Sequence, residues 1–206
     1  MRTQSIKKTL ALAAGVIGLA ILTTGQAEAA LIVSAPSLTA LTGSSGTFDI
    51  LLQNTGPSAV SIGGFSFGIS TTNPGITFSV ANISTGTVYI FNGNSLFGPD
   101  IRISSGTSLT ASDSANSPIS VNVLANSFVG LGHVSYSITG GAATGLFAIT
   151  FSGPATSLST AFGTNIPITT LSNGSINVIA TPEPATLGLV GGLVLVAGLF
   201  RKRLMK

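Results

Sequence analysis

The sequence predicts an all-β fold, a single antiparallel β-sandwich of about nine strands set between two terminal apolar segments. Three observations predict it. Short apolar runs alternate with polar residues at period two, and no long stretch between the ends has helical periodicity. Turn motifs built on Gly, Asn and Pro interrupt those runs along the whole chain. Long apolar runs stand only near the two ends of the 206 residues.

Residues 1–29 read as a secretory signal peptide. Arg2, Lys7 and Lys8 form a positive start, and residues 9–22 an apolar stretch. Ala27-Glu28-Ala29 then places small residues, Ala27 and Ala29, at the two positions a signal peptidase reads. Cleavage is expected after Ala29, with Ala30 as the mature start and the Sec machinery as the route of export. An uncleaved anchor is disfavoured, because the apolar stretch is short of the ~20 residues a spanning helix needs.

The body, residues 30–179, is read as one sandwich domain. Its strands begin at residues 31–34. Phe48, Ile50 and Leu52 alternate next, followed by Phe65, Phe67 and Ile69, then Ile76, Phe78 and Val80. Residues 87–91 are counted as a further strand. Ile119, Val121 and Val123 alternate after it, as do Val134, Tyr136 and Ile138, then Phe147, Ile149 and Phe151, and last Ile176 and Val178. Period two puts each set on one strand face, and one apolar face per strand implies sheets packed through those faces. Asn54-Thr55-Gly56-Pro57, Asn73-Pro74-Gly75, Asn92-Gly93, Gly140-Gly141 and Asn173-Gly174 supply the turns. Residues 104–118 are polar without periodicity and are read as a long surface loop.

Charge excludes one class of function. Charged residues make up 6% of the chain, against roughly 25% in an average soluble domain. Seven of the eight basic residues lie near the ends, which leaves Arg102 against Asp49, Asp100 and Asp113 in the body, a net charge of −2. Nucleic acid is not an expected partner, since phosphate binding needs clustered Lys and Arg. No Cys is present, so disulfides and thiolate metal sites are excluded.

Two resemblances follow from these residues. The run GTFDILLQNTGPSAVSIGGFSFGISTTNPGITF resembles the first half of cohesin-like domains, and GLFAITFSGPATSLSTAFGTNIPITTLSNGSINV resembles their close. Together they span residues 31–179. The resemblance implies a jelly-roll sandwich related to carbohydrate-binding modules, and does not by itself imply dockerin binding. Asn73 stands where that pattern commonly has Asp, and Ala161-Phe162 stands at its acidic-and-small site. These departures weaken any calcium role for acids there.

The second resemblance lies in residues 180–206. Pro182-Glu183-Pro184 precedes an apolar run, residues 185–200, and the chain closes on Arg201-Lys202-Arg203 within a basic tail, residues 201–206. As a helix the run would extend about 24 Å, slightly short of a ~30 Å hydrocarbon core, with snorkelling cations able to offset the difference. Gly188 and Gly192 form a weak GxxxG match. The basic cluster is expected to stay cytoplasmic, with the body across the membrane. This combination resembles the PEP-CTERM sorting signal of Gram-negative bacteria. It implies recognition by an exosortase, transit through the inner membrane, and delivery to the cell surface or an extracellular exopolysaccharide matrix. Simple permanent anchoring is the competing reading, in which Pro182 and Pro184 only break structure.

The body offers little for catalysis, and no catalytic residue, cofactor or metal is expected. The one histidine, His133, shares the polar face of its strand with Ser135 and Ser137, so it is read as a solvated side chain rather than a general base. No Ser sits in a GxSxG elbow. Asp49, Asp100 and Asp113 lack the spacing of a calcium loop. Tyr89, Phe91 and Phe97 are candidates for a sugar platform, although alternation points most Phe into the core. The expected function is an exported, non-enzymatic surface or matrix protein. The alternatives are a glycan- or exopolysaccharide-binding module and a permanently anchored surface protein.

Overall fold

The computed structural model describes residues 30–181. The expected signal peptide, with Ala27 and Ala29, lies outside the described residues. So do Pro182, Glu183, Pro184, residues 185–200, Arg201, Lys202 and Arg203, together with the side chains of residues 100–104. Among the described residues no helix is long and apolar enough to cross a membrane.

Two sheets pack face to face. The first has five strands in the order β14 (Thr170–Ser172), β1 (Leu31–Ser34), β3 (Ser45–Asn54), β10 (Ser127–Ile138) and β6 (Ile76–Asn82). The second runs β13 (Asn165–Ile166), β12 (Ser157–Ser159), β5 (Gly64–Ser70), β11 (Gly145–Phe151), β15 (Gly174–Ile179) and β2 (Ser37–Leu41). It is widened by β8 (Ser108–Ser114), which pairs with β5, and by β7 (Asp100–Ser105), which pairs with β8. A small ribbon joins β4 (Val60–Ile62) to β9 (Val121–Val123).

The alternating residues meet between the sheets. Phe48, Ile50, Leu52, Val134, Tyr136 and Ile138 line the first sheet, and Phe65, Phe67, Ile69, Ile149, Ile176 and Val178 the second; all are buried. Without Trp or Cys, aromatic contacts knit this core. The Phe48 ring meets Phe78 edge-on at 6.0 Å, and Phe65 stacks on Phe91 at 5.8 Å.

The fold class is all-β as expected, but the described residues hold fifteen strands rather than about nine. Residues 104–118 are largely strand, not loop: β8 lies in register with β5 from Ser108 to Ser114. Its inward positions are Leu109, Ala111 and Asp113, two small or polar side chains out of three, and so give no hydrophobic alternation. Residues 87–91 form no strand. They touch the first sheet through a single bridge, Tyr89 to Gly130. Their side chains Tyr89, Ile90 and Phe91 instead close the gap between the sheets.

One crossing ties the sheets together. β1 lies parallel to β14 in the first sheet, and the continuing strands β2 and β15 lie parallel in the second. The chain changes sheet at Ala35-Pro36 and again at Asn173-Gly174, side by side. Ala35 N–H donates to the Ser172 carbonyl and Ser175 N–H to that of Pro36. A Cβ on Gly174 would collide with the Pro36 carbonyl oxygen, so only Gly allows this approach.

The pairing also sets two poles. Leu31 sits beside Asn54 at one end of β3, while Ile179 sits beside Leu41, one turn from the other end. Ten residues of β3 separate these ends, about 33 Å at strand rise. The C-terminal pole is closed by a clasp. Thr181 N–H donates to Thr42 Oγ1 at 3.1 Å, and Thr181 Oγ1 donates to the Thr42 carbonyl at 2.6 Å.

Candidate functional site: a hydroxyl-lined groove under Phe97

Across β5, β8 and β12 the outward positions of the second sheet are small and hydroxylic. On β5 they are Gly64, Ser66 and Gly68, on β8 Ser112 and Ser114, and on β12 Ser157 and Ser159. With so little side-chain bulk, the face sinks into an open groove of about 340 Å³, bounded by Gly64, Ser66, Ser114, Ser159 and Phe97. Ser66 and Ser157 share a hydrogen bond at 2.9 Å across its floor.

Phe97 lines this groove at 84% exposed, and Phe162, in the turn between β12 and β13, is 89% exposed. The loop that carries it is fixed by a buried acid. Asp113 points inward, and its Oδ2 accepts from Tyr89 OH and from Ser95 Oγ, each at 2.6 Å. Its Oδ1 accepts from Ser114 N–H at 2.8 Å. Ser95 Oγ in turn accepts from Gly98 N–H at 2.7 Å, and Leu96 N–H donates to the Ser114 carbonyl. Burial first, and then the bond to the Asp113 carboxylate, push the Tyr89 hydroxyl far above the ordinary tyrosine range. Tyr89 therefore stays a neutral donor to a carboxylate whose bonds are all internal. The loop is a rigid mount, and Phe97 is displayed rather than merely left over.

This arrangement divides the three expected aromatics. Tyr89 and Phe91 are core residues, and Phe97 alone is available to a ligand. Asp113 is a structural acid, not a free calcium ligand. Among the described residues no group of three or more His, Asp or Glu is placed to hold a metal ion. Asn73, at the position where the family pattern commonly has Asp, is buried and holds its own turn. Its Nδ2 donates to the Ala143 carbonyl and its Oδ1 accepts from Gly75 N–H.

The other titratable cluster lies on the opposite side of the sandwich. His133 on β10 stands directly across from Asp49 on β3. Their side chains meet at 2.6 Å between Nδ1 and Oδ1. Asp49 Oδ2 also accepts from Gly86 N–H at 2.7 Å. His133 is thus paired rather than simply solvated. The partner was hidden in the sequence because cross-strand register joins residues 84 positions apart. An Asp-oriented imidazole is half of a catalytic relay, but among the described residues no hydroxyl bonds the ring, and the groove is on the far face. The pair instead ties residues 83–99 to the first sheet through Gly86.

No protein-family model matches the chain, and no curated protein does. Solved structures match its fold. It is similar to the third cohesin of ScaC from Acetivibrio cellulolyticus, solved in complex with the ScaB dockerin, at 18% identity and a TM-score of 0.56 over 73% of this chain and 99% of that one. The seventh ScaB type I cohesin of Pseudobacteroides cellulosolvens matches at 16% identity and 0.57, over 75% of this chain and 96% of that one. A non-cellulosomal cohesin from the archaeon Archaeoglobus fulgidus matches at 16% and 0.52, over 77% and 97%. The body is therefore a cohesin-like β-sandwich.

Proposed function

We propose that this chain is an exported, non-enzymatic docking module of the bacterial cell surface or extracellular matrix, sorted through its C-terminal tail by an exosortase. The observation that carries the docking role is Phe97, held out over a shallow groove by an internal hydrogen-bond chain. A ring kept exposed by a rigid mount is suited to a ready-made contact surface, since little ordering is needed on binding. A solved relative in fold is bound to a dockerin, which makes a protein partner the leading class for this face. Non-enzymatic action fits the separation of the His133–Asp49 pair from the groove.

Sorting rests on the sequence of residues 180–206. Thr181, the residue before Pro182-Glu183-Pro184, is clasped to Thr42, which supports a motif set close to the body. Replacement of Pro182, Glu183 and Pro184 by Ala is expected to leave the tail unprocessed and the chain in the inner membrane, read by fractionation and intact mass. Unchanged mass and location in that variant would refute sorting and leave permanent anchoring.

A second reading has its own support. The groove presents hydroxyls and one ring, and its one acid is internally bonded, a chemistry suited to a neutral exopolysaccharide. The Phe97→Ala variant separates the two. Loss of retention on purified exopolysaccharide would favour the glycan reading. Loss of a stoichiometric protein complex, with glycan retention absent throughout, would favour protein docking.

A further inference from the structure

Three aliphatic side chains stand alone on the outer face of the second sheet. Leu41 of β2 and Ile179 of β15 are register partners, and Leu146 of β11 pairs with Asn177, diagonal to Ile179. They are 40%, 44% and 71% exposed. Everything further along these strands on that face is small or polar: Ser37 and Thr39, Ser175 and Asn177, Ala148 and Thr150. The row is therefore the apolar end of an otherwise hydrophilic surface.

Its place in the molecule gives it meaning. Ile179 is two residues from Thr181, which Thr42 clasps to the body. Only Pro182, Glu183 and Pro184 separate Thr181 from the apolar run that begins at Ala185. Three residues reach at most about 10 Å. The loops that share this pole, residues 41–45, 73–76 and 139–146, contain no charged residue. The one acid near this pole is Glu183 of the link, and the chain has no length with which to hold the pole away from the headgroup layer.

We infer that Leu41, Leu146 and Ile179 rest in the lipid headgroup layer while the tail is intact, seating the sandwich on the membrane by its C-terminal pole. The inference rests on the reading of residues 185–200 as a membrane span. It fixes the orientation of the body. Ala30 lies at the opposite pole, and the Phe97 groove lies on the same sheet face about 30 Å along β11 and β5 from Leu146, well clear of the membrane. The tether supplies the affinity, and the row adds apolar contact at the interface.

The absence of Cys makes the test direct. Leu146→Cys and Leu41→Cys place single labels on the row. Phe128→Cys places one on an equally open apolar site, 56% exposed, at the far pole. Each variant, with residues 182–206 intact and its thermal melt checked, is reconstituted into vesicles of phosphatidylethanolamine and phosphatidylglycerol carrying a headgroup nitroxide. The expected result is quenching of the labels at 146 and 41 several-fold stronger than at 128. Equal or absent quenching at 146 in protein that floats with the vesicles overturns the seating while leaving the anchor intact. Failure to float overturns both the span and the seating. Shielding of position 146 from iodide without nitroxide quenching means that a second copy covers the row, and also overturns the proposal.

Discussion

Asp113, Asn54 and Asn73 are buried polar side chains that bond inward rather than to a ligand. Asn54 shows how completely: Nδ2 donates to the Ser58 and Val123 carbonyls, and Oδ1 accepts from Gly56 N–H. A buried group that keeps its partners costs little, whereas an orphaned one costs roughly 1–3 kcal/mol. Asp113 is a candidate in the sequence because acids in a lean chain draw attention, and only burial separates structural acids from functional ones. The same logic yields a pH prediction. The chain has two tyrosines. Burial pushes both hydroxyls upward, and at Tyr89 the Asp113 carboxylate adds to it. A raised folded value favours the neutral form, so the stabilisation is fully present below the unfolded value of about 10 and is lost as pH climbs beyond it. The native protein is expected to keep Tyr89 neutral at a pH where free tyrosine is mostly ionised, with that tyrosinate appearing as the chain unfolds. Ionisation of both tyrosines at ordinary pH with retained near-ultraviolet dichroism would contradict this.

At the scale of elements, alternation was legible wherever the inward residues are large. It located β3, β5, β10, β11 and β15 because Phe, Ile and Val mark one face of each; on β6 it holds for Ile76 and Phe78, but a register shift turns Val80 outward and Ala81 inward. It missed β7 and β8, since Ala111 and Asp113 carry no hydrophobic signal and Ser and Thr fill the other face. It overread residues 87–91, where apolar side chains plug the sandwich without joining a ladder. The groove was illegible for a related reason. Its floor is defined by missing bulk, at Gly64 and Ser66, and by β8, whose polar sequence reads as loop. Phe97 was visible as a candidate, but its exposure depends on Ser95, Gly98 and Asp113, whose contact no spacing rule predicts. The crossing at Gly174 was read only as a turn, yet it is where both sheets are tied. Gly174→Ala forces Cβ into the Pro36 carbonyl and must part β1 from β14 or β2 from β15. The expected cost is about 2 kcal/mol or more, in the class of overpacked sites. Urea unfolding measures it, and a loss within a few tenths of a kcal/mol would show that the two crossing strands slide freely.

For the whole molecule, the order of strands decides where the tail can be cut. β15 is the next-to-last strand of its sheet, flanked by β11 and β2, and it contributes Ile176 and Val178, both fully or almost fully buried. Among the described residues, the hydrogen bonds after Ile179 are those between Thr181 and Thr42 at the surface. The described body therefore ends in cooperative structure up to Ile179 and a surface clasp at Thr181, just before the proposed processing motif. Cleavage after Thr181 is expected to remove none of the described core. Cleavage a few residues earlier removes a central partner of two strands and about two large side chains, a loss of several kcal/mol against a total stability of about 5–15 kcal/mol. A chain ending at Thr181 is thus expected to melt within a degree or two of one that keeps residues 182–206, judged on the scale by which 1 kcal/mol shifts a domain of this size by about 2–4 °C. A chain ending at Gly174 should show no cooperative melt. If the shorter chain retained the full transition, β15 would be dispensable and the position of the motif would carry no structural logic. If the chain ending at Thr181 already lost it, residues beyond the clasp would be part of the fold. Cooperative melting of the first and not the second would mean that the fold ends before the proposed sorting motif, so that the proposed release from the membrane would leave the Phe97 groove and its mount intact.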